Sequence, residues 1–265
     1  MPVAGPEKKG SFFLIGGSAD ICLLRLVRLA GGSRGHIVIL PHASATPLRS
    51  AHLLQEQLVT TGRTSLIMPR SEKTIPDDAT AVYFAGGDQS RLVKLLNPAI
   101  RRQLSGFLRS GGLVAGSSAG AAAVVTTMIA DGMNDGVLSA GSLRLRPGLG
   151  LLPGAVIDTH FRQRGRFSRL MAAVSLLPAT LGVGLDEDTA VEIAANGSAT
   201  VHGKGHGWFF TPGQEHDSDL NQARGLRASV VNVSVSALSS GQVFDLKSRS
   251  WVRSAFRPAR SDRRD

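Results

Sequence analysis

Short apolar runs alternate with amphipathic stretches through the first half of the chain. "SFFLIGG" (11–17) predicts a strand ending in glycines, and "ADICLLRLVRLAGG" follows with helical spacing and a Gly-Gly stop. "HIVILPHAS" predicts a second buried strand and "TPLRSAHLLQEQLVTTG" a second helix. "TSLIMPR" and "TAVYFAGGDQ" are strand-like, and "QSRLVKLLNPAIRRQLSGFLRSGG" holds one or two amphipathic helices around Pro98. "LVAGSSAGAAAVVTTMIA" predicts a strand running into a helix. Short β-branched runs joined by helices predict an α/β fold, with a mostly parallel central sheet covered on both faces.

Beyond about residue 135 the pattern changes. "GLLPGAVIDTHF" predicts a strand with a loop, and "QRGRFSRLMAAVSLLP" a helix. "LGVGLDEDTAVEIAANGSATVHGKGHGWFF" predicts strands turning at Asn196-Gly197 and around Gly205, and "SVVNVSVSALSSGQVFDLKSRSW" adds β-hairpins near the C-terminus. The polar segment 213–227 is expected to be a loop. With no internal repeat and no low-complexity linker, residues 11–252 are expected to form a single domain, flanked by basic flexible tails at 1–10 and 253–265.

Composition narrows the picture. A chain of 265 residues suffices for a substantial core, and 31 glycines with few aromatics suit close helix–sheet packing. No stretch approaches the roughly 20 apolar residues needed to span a bilayer. "MPVAGPEKKGSFFLIGG" imitates a signal peptide loosely but runs straight into "GGSAD", so a cytoplasmic protein is expected. The single cysteine, Cys22, excludes an internal disulfide and a multi-cysteine zinc site, and is expected to be buried. The formal charge of +10 raises the question of nucleic acid. Part of that excess lies in the tails, at Lys8, Lys9, Arg253, Arg257, Arg260, Arg263 and Arg264, without aromatic interleaving; no nucleic-acid partner is expected.

Gly116-Ser117-Ser118-Ala119-Gly120 fits G-x-S-x-G, the pattern of a strand-to-helix turn too tight for flanking side chains. Such a turn raises Ser118 among helix-start amides and leaves Ser117 pointing elsewhere. A serine needs a base, and the base needs an orienting acid. Of seven histidines, His52 lies on a helix surface pattern, while His36 and His42 sit at the ends of a strand. His202, His206 and His216 lie among turn residues. His160 stands out because "VIDTHF" carries a strand into a polar cluster. Asp158, Asp186, Glu187 and Asp188 are the acid candidates, and spacing does not choose among them. Gly86-Gly87 lets the backbone approach a ligand, and its amides with that of Ala119 suit an oxyanion hole.

"FAGGDQSRL", "AGSSAGAAA", "IDTHFRQRGRFSRL" and "GVGLDEDTA", in this order, resemble the cyanophycinases, as does the ending "ALSSGQVFDLKSR". These are serine peptidases related to the aspartyl dipeptidases, with a class I glutamine-amidotransferase-like fold. The resemblance spans roughly residues 11–250. It implies Ser118 as nucleophile, His160 as base and Glu187 as its orienting acid, with Gly87 and Ala119 as oxyanion amides. It implies a substrate pocket lined by Gln89, Asp158, Thr159, Arg164, Arg166 and Arg169. The order Ser–His–Glu argues against ordinary α/β-hydrolases, whose order is Ser–acid–His.

The implied substrate is cyanophycin, multi-L-arginyl-poly-L-aspartate, cut to β-aspartyl-arginine dipeptides without metal or organic cofactor, by a homodimer. Ser117 replaces a common threonine, and Thr159 stands where well-known cyanophycinases carry glutamine. That leaves open a small aspartyl or isoaspartyl dipeptide as substrate. A non-catalytic binding protein on the same fold is the alternative of another class.

Overall fold

The computed structural model describes residues 10–17, 20–58, 62–71, 73–132, 138, 143–220 and 227–252. The expected basic tails, apart from Gly10, lie outside the described residues. In chain order the elements begin with β1 (Ser11–Ile15), α1 (Asp20–Leu29), β2 (His36–Leu40), α2 (Pro47–Gln57), β3 (Arg63–Leu66) and β4 (Ala81–Phe84). Then come α3 (Gln89–Leu95), α4 (Pro98–Arg109), β5 (Leu113–Ser117), α5 (Ala119–Ala122), β6 (Thr127–Gly132) and β7 (Leu143–Pro147). The second half holds β8 (Ala155–Thr159), α6 (Phe167–Leu176), β9 (Leu181–Leu185), β10 (Thr189–Ile193) and β11 (Ser198–Gly203). It closes with β12 (Gly207–Ser218), β13 (Val230–Leu238), β14 (Val243–Asp245) and β15 (Ser250–Val252).

Among the described residues the largest sheet runs β15-β14-β11-β10-β1-β5-β4-β2-β3. From β1 to β3 every pairing is parallel, and from β1 outward through β10 every pairing is antiparallel. The inner parallel strands β1, β4 and β2 are apolar on both faces, as a sheet between two helix layers requires, whereas the edge strand β3 is polar and only half buried. Phe13, Ile15, Ile37, Ile39 and Tyr83 pack under α1 and α2. Phe12, Leu14, Val38, Leu40 and Phe84 share a core with Ile100, Leu104 and Leu108, whose spacing of four makes the buried stripe of α4. Cys22, on α1, is buried in the opposite core, between α1 and the sheet.

A second sheet, β13-β12-β9-β8, carries the site's later residues. Ile157, Val183 and Phe209 join the core of the main sheet, while Val156 and Phe210 face the other way, against α6. Two expectations change. The helix expected over "AGAAAVVTTMIA" is only α5, because the β-branched run after Ala123 prefers extended backbone and leads into β6. The loop expected at 213–227 is in part strand. β12 continues through Ser218, pairing with β13 past a bulge, and residues 221–226 lie outside the described residues. No helix among the described residues is long and apolar enough to cross a membrane.

Candidate active site

Ser118 sits at the junction of β5 and α5 with φ 52 and ψ −116, a conformation non-glycine residues adopt only when the surroundings hold them there. The glycines on either side show what holds it. A Cβ on Gly116 would lie 2.6 Å from Gly120, and one on Gly120 would lie 2.1 Å from the Phe84 carbonyl oxygen. Only hydrogen fits at both positions, so the turn closes tightly and lifts Ser118. The Ser118 amide donates to the Ile15 carbonyl (2.9 Å), tying the turn to the end of β1.

The same strand end holds the next partner. Gly16 accepts a hydrogen bond from the His160 amide (2.7 Å), placing the residue after β8 beside the residue after β5. His160 Nε2 lies 2.8 Å from Ser118 Oγ, and His160 Nδ1 lies 2.6 Å from Glu187 Oε1. His160 has φ 47, a second strained non-glycine residue at the site. Burial lowers its pKa; the bond to Glu187 opposes this, and the charges of Arg164 and Arg166 reinforce it.

Of the acids that spacing could not separate, Glu187 is the one that meets His160. Asp186 is fully buried and takes up the neighbouring chain instead. It accepts the amides of Arg162 and His206 and the Trp208 indole N–H, each at 3.1 Å. Asp188 has φ 53 and turns the chain into β10. Asp158 is buried under two arginines: Arg169 donates to it from Nε and Nη2, both at 2.6 Å, and Arg166 from Nη1 at 2.9 Å.

Arg166 and Arg169 line a cleft of about 650 Å³ that opens beside Gly87. Gln89 also lines it, donating its side-chain amide to the carbonyls of Ile129 (2.8 Å) and Ala130 (2.9 Å) and so fixing α3 to β6. Thr159 is buried and offers its carbonyl to Arg166 Nη1 (2.6 Å). Arg164 is exposed and acts on His160 through its charge. A methyl on Gly86 would lie 3.4 Å from the Ser118 Cβ, so the glycine pair passes directly by the hydroxyl. Gly87 has φ 141 and no room for a side chain against the Ala43 carbonyl, 2.2 Å from where its Cβ would be.

Among the described residues, none of the other histidines bonds Ser118. His36 bonds Asp78 and Ser65, His202 bonds Glu192, His216 bonds the Val231 carbonyl, and His52 is exposed. Among the described residues no group of three or more His, Cys, Asp or Glu is arranged to hold a metal ion. Sequence reasoning passed over Arg144, Arg146 and Asp131, which also line the cleft. The available signal was the strict alternation of "LRLRP". It also passed over Gly17, whose missing side chain makes room for His160 and Glu187.

A serine raised on a strand–turn–helix of an α/β sheet, in line with a histidine and a carboxylate, is the layout of a serine hydrolase. Residues 13–201 match the model of peptidase family S51, and the chain belongs to that family; it is a serine peptidase. It is 30% identical over 261 residues to a cyanophycinase of Synechococcus elongatus, covering 90% of this chain and 80% of that protein. It is also 30% identical over 267 residues to a cyanophycinase of a Nostoc species, covering 94% and 90%. The fold is similar to the crystal structure of a peptidase from an acI-B1 actinobacterium, with a TM-score of 0.57 at 20% identity, over 88% of this chain and 98% of that one.

Proposed function

We propose that Ser118, His160 and Glu187 are a catalytic triad that hydrolyses cyanophycin to β-aspartyl-arginine units through an acyl-enzyme. The observation that carries this reading is the unbroken line from Ser118 Oγ through His160 to Glu187, at 2.8 and 2.6 Å, on a serine held at φ 52. Its substrate half is supported by the cyanophycinases similar to this chain and by the arginine- and aspartate-lined cleft beside Gly87.

Ser118 Oγ attacks the carbonyl carbon of an aspartyl backbone bond, and its proton passes to His160 Nε2. Glu187 keeps the Nδ1 proton in place and stabilises the imidazolium. The amides of Gly87 and Ala119 hold the negative oxygen that develops. As the C–N bond breaks, His160 gives its proton to the leaving amine. Water, deprotonated by His160, then splits the ester to a carboxylate and frees Ser118. The peptide binds in the cleft next to Gly87, with Gln89 and the arginines around it.

The test is to incubate the purified protein with cyanophycin and, separately, with Asp-X and β-Asp-X dipeptides. Dipeptide release from the polymer by the wild type, and a loss of about 10⁴-fold or more in Ser118→Ala, is expected. Release that survives in Ser118→Ala would sink the triad. Cleavage of the dipeptides alone would replace the polymer with a small-peptide substrate.

A further inference from the structure

The four arginines of the cleft are not equivalent. Arg166 and Arg169 are largely buried, and both bind Asp158; Arg166 also binds the Thr159 carbonyl, and Arg169 the Gly132 carbonyl at 3.3 Å. Arg169 spends Nε, Nη1 and Nη2 on the protein itself, while Arg166 spends Nη1 and its buried Nε has no partner among the described residues. Arg144 and Arg146 differ. They are exposed, and the ion pairs among the described residues include neither.

The strand that carries them decides where they point. Leu143 and Leu145 pack against the core that contains Val156 and Phe161. Because successive side chains of a strand alternate, Arg144 and Arg146 share the opposite face, and that face lines the cleft. Two residues apart on one strand, their Cα atoms are about 6.6 Å apart, close enough for both guanidinium forks to converge on one carboxylate. Asp88 and Asp131 also line the cleft, but among the described residues neither forms an ion pair with Arg144 or Arg146. Asp131 faces Arg144 across the β6–β7 ladder, but its Oδ1 accepts the Gly132 amide at 2.8 Å. Asp88 caps α3 through the amides of Ser90 and Arg91. Two permanently charged, unpaired neighbours repel each other and gain from an anion between them.

We propose that Arg144 and Arg146 form a carboxylate-binding subsite for the free α-carboxylate of the amino acid joined to the reacting aspartyl unit. The inference rests on the peptidase reading above. Arg166 and Arg169, in this arrangement, hold Asp158 and the floor of the cleft, and β7 supplies the grip on substrate. An aspartyl unit bearing an arginine with a free carboxylate is selected over the same unit with a carboxamide.

Isothermal titration calorimetry with β-aspartyl-arginine and with β-aspartyl-argininamide tests this on the intact protein. The wild type is expected to bind the acid about tenfold or more tightly than the amide. The double variant R144Q/R146Q, altered only at exposed side chains, should bind the two alike. Equal binding of acid and amide by the wild type, no binding of the acid, or a preference that survives in the double variant overturns the proposal. Labelling of Ser118 by a fluorophosphonate reports separately on the nucleophile: its failure would remove the triad while leaving the titrations readable.

Discussion

Gly17→Ala adds one methyl group at the place where the geometry leaves least room. The new Cβ would lie 2.7 Å from both Cε1 and Nδ1 of His160 and 2.9 Å from Glu187 Cγ. Ordinary carbon contacts begin near ~3.5 Å, so the imidazole must retreat by roughly 0.8 Å or rotate. Its two hydrogen bonds, 2.8 Å to Ser118 and 2.6 Å to Glu187, have no slack for that: adding the displacement to either takes it past ~3.2 Å. Misplacing a reacting group by about 1 Å costs about 10²-fold in rate, or ~2.7 kcal/mol of transition-state stabilisation.

Stability should not follow. Gly17 is outside the left-handed region, so alanine meets no backbone strain there, and the loss of unfolded-state freedom favours folding by about 0.4–1 kcal/mol. The atoms that must yield are the side chains of His160 and Glu187 rather than backbone. The expected result is a fall of about 100-fold in kcat, with slower fluorophosphonate labelling and a thermal midpoint no lower than that of the wild type. A Gly17→Ala enzyme with wild-type kcat would refute the reasoning, and so would a loss of activity that tracks unfolding.

Two titrations follow from the burial of histidines. Burial, reinforced by Arg164 and Arg166, holds the His160 pKa below its usual value of 6.5, so the neutral base persists into more acidic solution. The acidic limb of the kcat/KM profile should therefore lie below pH 6.5, and Arg164→Gln should move it upward; a limb unmoved by that substitution would contradict the charge argument. His42 is buried, its Nδ1 has no hydrogen-bond partner among the described residues, and burial lowers its pKa to about 4. Between pH 6.5 and about 4 the unfolded chain binds a proton that the folded chain refuses, so stability is lost as pH falls, by roughly 3 kcal/mol at the lower end. His42→Gln should reduce the shift in urea midpoint over that range, and an identical shift would rule out His42 as its source.

The turn around Ser118 was legible because its cause is local. Glycine at 116 and 120 is demanded by contacts within five residues and with the adjacent strand, so the pattern itself carries the geometry. The inner strands β2 and β4 of the parallel half were legible for a similar reason, since burial on both faces leaves a continuous apolar run. The extension of β12 through Ser218 was not, because that part of the strand carries few apolar positions to mark a period of two. Arg144 and Arg146 were hidden differently. Their alternation with leucine was visible, but only the packing of Leu143 and Leu145 turns the arginine face toward the cleft.

The sequence by itself determined that a serine stands at a forced turn, that an α/β sheet supports it, and that a histidine and several acids follow late in the chain. Spacing alone did not show which acid meets His160 or what the arginines hold; the tertiary structure brings Glu187 to His160 and Asp158 to Arg166 and Arg169. Asp186, Glu187 and Asp188 are indistinguishable by spacing, yet the fold buries the first against Arg162, His206 and Trp208 and gives the second to His160. Three carboxylates in a row have the same chemistry along the chain. They acquire different surroundings because Ile15 and Gly16, at the end of one strand, bring the segments after β5 and β8 to a single point, where Glu187 is the one of the three that bonds His160. A covalent sequence records neighbours within a few residues, whereas contacts between segments 42 and 27 residues apart exist only once the sheets have packed.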